Sequence, residues 1–127
     1  MFHFTVDSNK SMEDVIFRLK EVLKEEKFGV LWELNLREKL QEKGLELDKE
    51  FVVLEVCNPH EAKRVLTQNT LVGYFLPCKI VVYLEKGKTK IGMPKPTSLI
   101  SMVSDSELET IAEDIEHRLI GCIEKAK

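Results

Sequence analysis

Hydrophobic and polar positions recur along this chain at two periods, and the periods mark out most of its elements. Phe2-His3-Phe4-Thr5-Val6 alternates with period two, predicting a strand that buries Phe2, Phe4 and Val6 and turns His3 the other way. After the turn Asp7–Lys10, Ser11 offers an N-cap with Asp14 three residues on, an imperfect capping box. Met12, Val15, Ile16, Leu19, Val22 and Leu23 then repeat at helical spacing. They predict an amphipathic helix of about four turns that stops near Lys27, with Gly29 as a flexible exit.

Gly29–Leu34 reads as a second strand, and Asn35 with Glu38 starts a short helix, Leu36 to Lys43, that Gly44 ends. Phe51–Cys57 is the third strand, dense in β-branched residues. Asn58 then caps a helix with Pro59 at its first position, where proline loses no intrahelical hydrogen bond, and Ala62, Val65 and Leu66 form its buried stripe. A loop from Gln68 to Leu76 leads through Pro77 to a fourth strand, Cys78–Leu84. Lys86-Gly87-Lys88 forms a hairpin turn into a fifth, Thr89–Met93, and Pro94-Lys95-Pro96 breaks the pattern. Ser104 and Glu107 form the capping box of a last helix whose stripe includes Leu108, Ile111, Ala112, Ile115, Leu119, Cys122 and Ile123; His117 falls off that stripe and is expected to be exposed.

Two long amphipathic helices need a common surface for their apolar stripes, and five strands supply one. The expected fold is therefore α+β: a mostly antiparallel five-stranded sheet with both long helices on the same face. The 127 residues suit a single domain, 1–127, with 43% hydrophobic and 32% charged positions.

Composition narrows the function mainly by exclusion. A formal charge of −3 lacks the basic footprint that phosphate-backbone binding demands, so no nucleic acid partner is expected. No apolar run approaches the roughly 20 residues of a spanning helix and no leader pattern opens the chain, so no membrane is expected and the cytoplasm is the expected location. Three cysteines then read as free thiols. No GxSxG, P-loop, dinucleotide glycine fingerprint, HExxH or CxxC motif occurs, and nothing favours a Ser/His/Asp triad.

The candidate chemistry gathers at the end of the third strand. Were strands three and four antiparallel neighbours, Cys57 and Cys78 would lie within several ångströms of each other. Cys57 stands at a helix entry that favours an anion, and His60 follows in the same turn. Cys57, His60 and Cys78 are thus a candidate ligand set for a soft or borderline metal such as Zn²⁺. Against this, the commonest fate of a free cysteine is as a small buried hydrophobe. The strand alternation also sets Cys57 with Phe51, Val53 and Glu55, but Cys78 with Ile80, Val82 and Leu84. Asn58 is foremost a cap, whose free amides offer a place for a small anion. Glu55 sits inside the strongest strand, so its carboxylate must reach water or a partner, and His3 is a candidate for that partner. Trp32 and Tyr83 read as core or interface aromatics, Cys122 as core. Lys86, Lys88, Lys90 and Lys95 read as a solvated, edge-protecting basic hairpin.

Cys57-Asn58-Pro59, followed by Ala62 and Leu66 and then by Leu76-Pro77-Cys78 and a short hairpin, resembles a small prokaryotic family, domain-of-unknown-function family 302. Lys27-Phe28-Gly29-Val30 resembles that family's helix-to-strand junction, where glycine is usual at the position of Lys27. The resemblance covers nearly the whole chain and implies a β-α-β4-α fold of the TATA-binding-protein class. It implies no activity or substrate, and the fold analogy gives no warrant for DNA binding. The expected function is non-catalytic: a small ligand, or a second copy of the chain in a homodimer, held against the open sheet face with the Cys57 turn at the rim and Cys57, Asn58, Glu55, Cys78 and His3 as its contacts. The alternative is a thiol- or metal-dependent site on Cys57, His60 and Cys78.

Overall fold

A computed structural model describes residues 1–127. Its five strands are β1 (His3–Ser8), β2 (Gly29–Asn35), β3 (Phe51–Cys57), β4 (Cys78–Glu85) and β5 (Lys88–Pro94); its helices are α1 (Met12–Glu25), α2 (Leu36–Glu42), α3 (Pro59–Gln68), α4 (Pro96–Ile100) and α5 (Ser106–Ala126). The strands form one antiparallel sheet in the order β1-β5-β4-β3-β2. The α+β class and the five-stranded antiparallel sheet are as expected.

The alternation decides which face is covered. Val52, Leu54 and Val56 of β3, Ile80 and Val82 of β4, and Ile91 and Met93 of β5 are buried in one core with Val15, Leu19, Val22 and Leu23 of α1 and Leu108, Leu119 and Ile123 of α5. Both long helices therefore cover one face. Burying a side chain of this size stabilises by about 1.5–3 kcal/mol, and this core is the main reason the helices lie where they do. The other face carries Phe51, whose ring stacks on Tyr83 at 5.2 Å between centroids.

Helix ends are specified locally. Ser11 and Asn35 cap α1 and α2 as expected, accepting from the Asp14 and Glu38 amides. The exit of α1 differs: Lys27, at φ 65°, is the left-handed residue, not Gly29. Its amide donates to the Lys24 carbonyl and that of Phe28 to the Leu23 carbonyl, the paired bonds of a Schellman motif. α5 is capped by Asp105, which accepts from the Glu107 and Leu108 amides, while Ser104 turns left-handed at φ 58°. The carboxylate one residue on outcompetes the hydroxyl because its charge is held at the positive end of the helix.

Several segments depart from their patterns. Phe2 precedes β1 and is 67% exposed, so only Phe4 and Val6 of that strand pack toward the core. Thr70–Phe75, expected as loop, is a 3-10 helix, and α4 follows the proline break. Leu66, expected on the buried stripe of α3, is exposed, leaving Val65 as that helix's buried anchor. The β4–β5 hairpin is internal to the sheet. Lys88 and Lys90 accordingly reach across to Asn9, just past β1, and to Asp7 on it, instead of guarding an edge.

Candidate functional site

A cavity of about 580 Å³ lies at the end of the sheet where β3 stops and β4 begins. Its walls come from segments far apart in sequence: Val65 of α3, the 3-10 segment and Leu76-Pro77, Leu99 and Ile100 of α4, and Leu108, Ala112, Ile115 and Leu119 of α5. Fifteen of the 20 lining residues are hydrophobic. The floor uses both faces of the sheet, with Cys78 and Met93 from the covered face and Trp32, Glu55 and Lys79 from the other.

Among these walls Glu55 and Lys79 are the charged pair. Antiparallel register puts them directly opposite each other, and the Lys79 ammonium donates to the Glu55 carboxylate. Glu55 is the enclosed partner, its side chain 15% exposed against 46% for Lys79. Trp32 stands on the far side of Glu55 in the β2–β3 pairing, next to an irregularity in register between Val30 and Trp32. That extra residue bends the edge strand and turns Leu31 and Trp32 outward, so Trp32 stays 55% exposed at the cavity rim. Tyr74, on the 3-10 segment, is 84% exposed on the same rim.

A second cluster lies behind the Asn58 turn. The Asn58 side-chain oxygen accepts from the His60 and Glu61 amides, and its Nδ2 donates to the Glu26 carbonyl at 3.3 Å. The same carbonyl accepts from Arg118 Nη2 at 3.0 Å, while Arg118 Nε donates to the Glu26 carboxylate at 3.0 Å. Glu61 and Asp114 lie 3.7 and 3.5 Å from Arg118 Nη1, and the guanidinium sits over the Phe28 ring. These acidic neighbours hold the guanidinium pKa above its ordinary value against the opposing effect of burial. Every polar group here is spent on joining α1, α3 and α5, so the cluster is a structural clamp. Arg118 carried no signal in the sequence because Glu26 and Glu61, its partners across the helices, lie on other elements.

With this geometry in place, the match to known proteins is direct: the family model described as "Domain of unknown function DUF302" covers residues 4–126. The chain belongs to the DUF302 family. A crystal structure of an uncharacterized conserved DUF302 protein from Bacillus stearothermophilus is 59% identical, with a TM-score of 0.97, covering 100% of this chain and 99% of that one. No curated protein matches significantly. The family assignment thus agrees with the resemblance carried by Cys57-Asn58-Pro59 and Leu76-Pro77-Cys78, and it brings no activity with it.

Within this DUF302 fold the residues singled out from sequence separate. Glu55 and Cys78 line the cavity; Cys57, Asn58, His60 and His3 do not. Cys78 pairs across the ladder with Val56, so it shares the covered face, whereas Cys57 is one residue on and turns to the other. No group of three or more His, Cys, Asp or Glu side chains is placed to hold a metal ion. Cys57, His60 and Cys78 do not form such a group. Burial, reinforced by Cys57 and Glu55, pushes the Cys78 thiol up to about 11, the opposite of an activated nucleophile. His3 instead bonds the Thr5 hydroxyl at 2.9 Å and lies three strands from Glu55, a span of about 14 Å at ordinary strand spacing. Glu55 does have the partner its position demanded, but that partner is Lys79. Cys122 is core, its thiol donating to the Val22 carbonyl at 3.6 Å, and His117 is exposed.

Proposed function

We propose that this domain binds a small, largely apolar molecule in the cavity at the end of the sheet. The observation that carries the reading is the cavity itself. A space of about 580 Å³ with an apolar lining and one ion pair falls within the range of small-molecule sites. The lining offers burial for a hydrophobic body and a single polar anchor for its end. Trp32, the only tryptophan of the chain, stands at the rim and reports on occupancy. Titration with the neutral probe N-phenyl-1-naphthylamine is expected to give saturable probe emission, accompanied by a change in Trp32 fluorescence. Emission that never saturates would overturn the reading.

A second reading, self-association through the sheet face that the long helices leave, is favoured by the stacked, half-buried Phe51 and Tyr83 rings with half-buried Val81 beside them. It predicts a dimer in sedimentation velocity and a monomer for Tyr83→Lys. A monomeric parent protein at high concentration would remove it while leaving the cavity reading intact.

A further inference from the structure

We propose that the ligand of this cavity is an amphiphilic amine, with a cationic end on Glu55 and an apolar body inside. The inference rests on the cavity reading above and adds the sign of the charge. Of the two charged groups in the lining, the anion is the enclosed one and sits on the shorter side chain, on β3 between Trp32 and Lys79. Lys79 is long and nearly half exposed, so its ammonium can leave for water while its stem stays against the wall.

The two possible signs of a ligand head have unequal consequences. An anionic head that recruited Lys79 would strip Glu55 of its counter-ion or stand beside a second negative charge. A poorly solvated, unpaired carboxylate is strongly unfavourable. An ammonium head takes the place of Lys79, and Glu55 stays paired throughout. Trp32, directly opposite Glu55, and Tyr74 on the rim add aromatic faces to which a cation is attracted. The apolar body then runs toward Ile100, Leu108, Ile115 and Leu119.

The test is displacement of N-phenyl-1-naphthylamine by octylamine, octanol and octanoate below their micelle concentrations, at neutral pH and low salt. Octylamine is expected to displace the probe at a concentration severalfold lower than octanol, because its ammonium keeps Glu55 paired while the exposed Lys79 ammonium regains full hydration. Octanoate is expected to be weakest. In Glu55→Gln the advantage of octylamine over octanol should vanish while octanol is unchanged. If octanol or octanoate matches octylamine, the cation preference is overturned and the cavity reading stands; if none of the three displaces a bound probe, both fall. Should Glu55→Gln lose its fold by circular dichroism, Lys79→Met decides. Freed of its internal competitor, it must bind octylamine more tightly relative to octanol, and an unchanged ratio refutes the proposal.

Discussion

Asn58 shows how much a single side chain can be asked to do. Its cap was legible from Asn58-Pro59 because capping is a local affair. Its second bond, to the Glu26 carbonyl 32 residues away, was not. Asn58→Ala removes both, and urea unfolding is expected to show a loss of about 2 kcal/mol; a loss of only about 1 kcal/mol, the worth of the cap alone, would mean the long-range bond contributes nothing. Lys27 runs the other way. A lysine at φ 65° is strained, so Lys27→Gly is expected to stabilise by about 1 kcal/mol in the same assay. The cysteines could be placed by alternation, but their chemistry followed only from burial. The thiols of Cys78 and Cys122 are pushed from an ordinary 9.0 to about 11, by loss of solvation above all. The unfolded chain therefore gives up these protons first as pH rises. Stability is full below 9 and declines between 9 and 11, and in Cys122→Ala the urea midpoint should fall less steeply over that window.

At the scale of elements, long periodic segments were readable, and short ones only where a recognised cap marked their start, as Asn35 does for α2. α1, α5 and the β3–β4–β5 strands repeat a pattern over enough residues to outvote local noise. Thr70–Phe75 and Pro96–Ile100 are each too short to show a period, and they are the segments that close the cavity. α4 is held in place by Glu116 of α5, whose carboxylate accepts from both the amide and the hydroxyl of Thr97. The clamp around Arg118 belongs to this scale too, because it joins three helices through one guanidinium. Arg118→Met keeps the side chain's bulk but leaves the Glu26 carbonyl with one donor fewer and Glu61 without its cross-helix partner. A destabilisation of about 2 kcal/mol is expected by urea unfolding, with the fold retained by circular dichroism. A silent substitution would show that solvent replaces the guanidinium without cost.

At the scale of the whole molecule, the candidate site was half legible. The junction of β3 and β4 was marked by its motif and by Glu55, and that is where the cavity opens. The depth of the cavity was hidden, because its walls come from α3, the 3-10 segment, α4 and α5, and no local pattern says that separate segments fail to meet. The failure to meet is itself testable without any ligand. Ala112 lies on the buried face of α5 and on the cavity wall. In a close-packed core, adding the three carbons that separate leucine from alanine forces neighbours off their rotamers and costs about 1–3 kcal/mol. Here the added carbons enter open space and gain contacts that the alanine lacks, so Ala112→Leu is expected to hold or raise the melting temperature. The same carbons occupy the volume in which an apolar body would lie, so uptake of N-phenyl-1-naphthylamine should fall. Stability and uptake moving in opposite directions is the signature of a cavity kept open for an occupant; a lowered melting temperature with unchanged uptake would mean that Ala112 faces packed protein and that the space lies elsewhere.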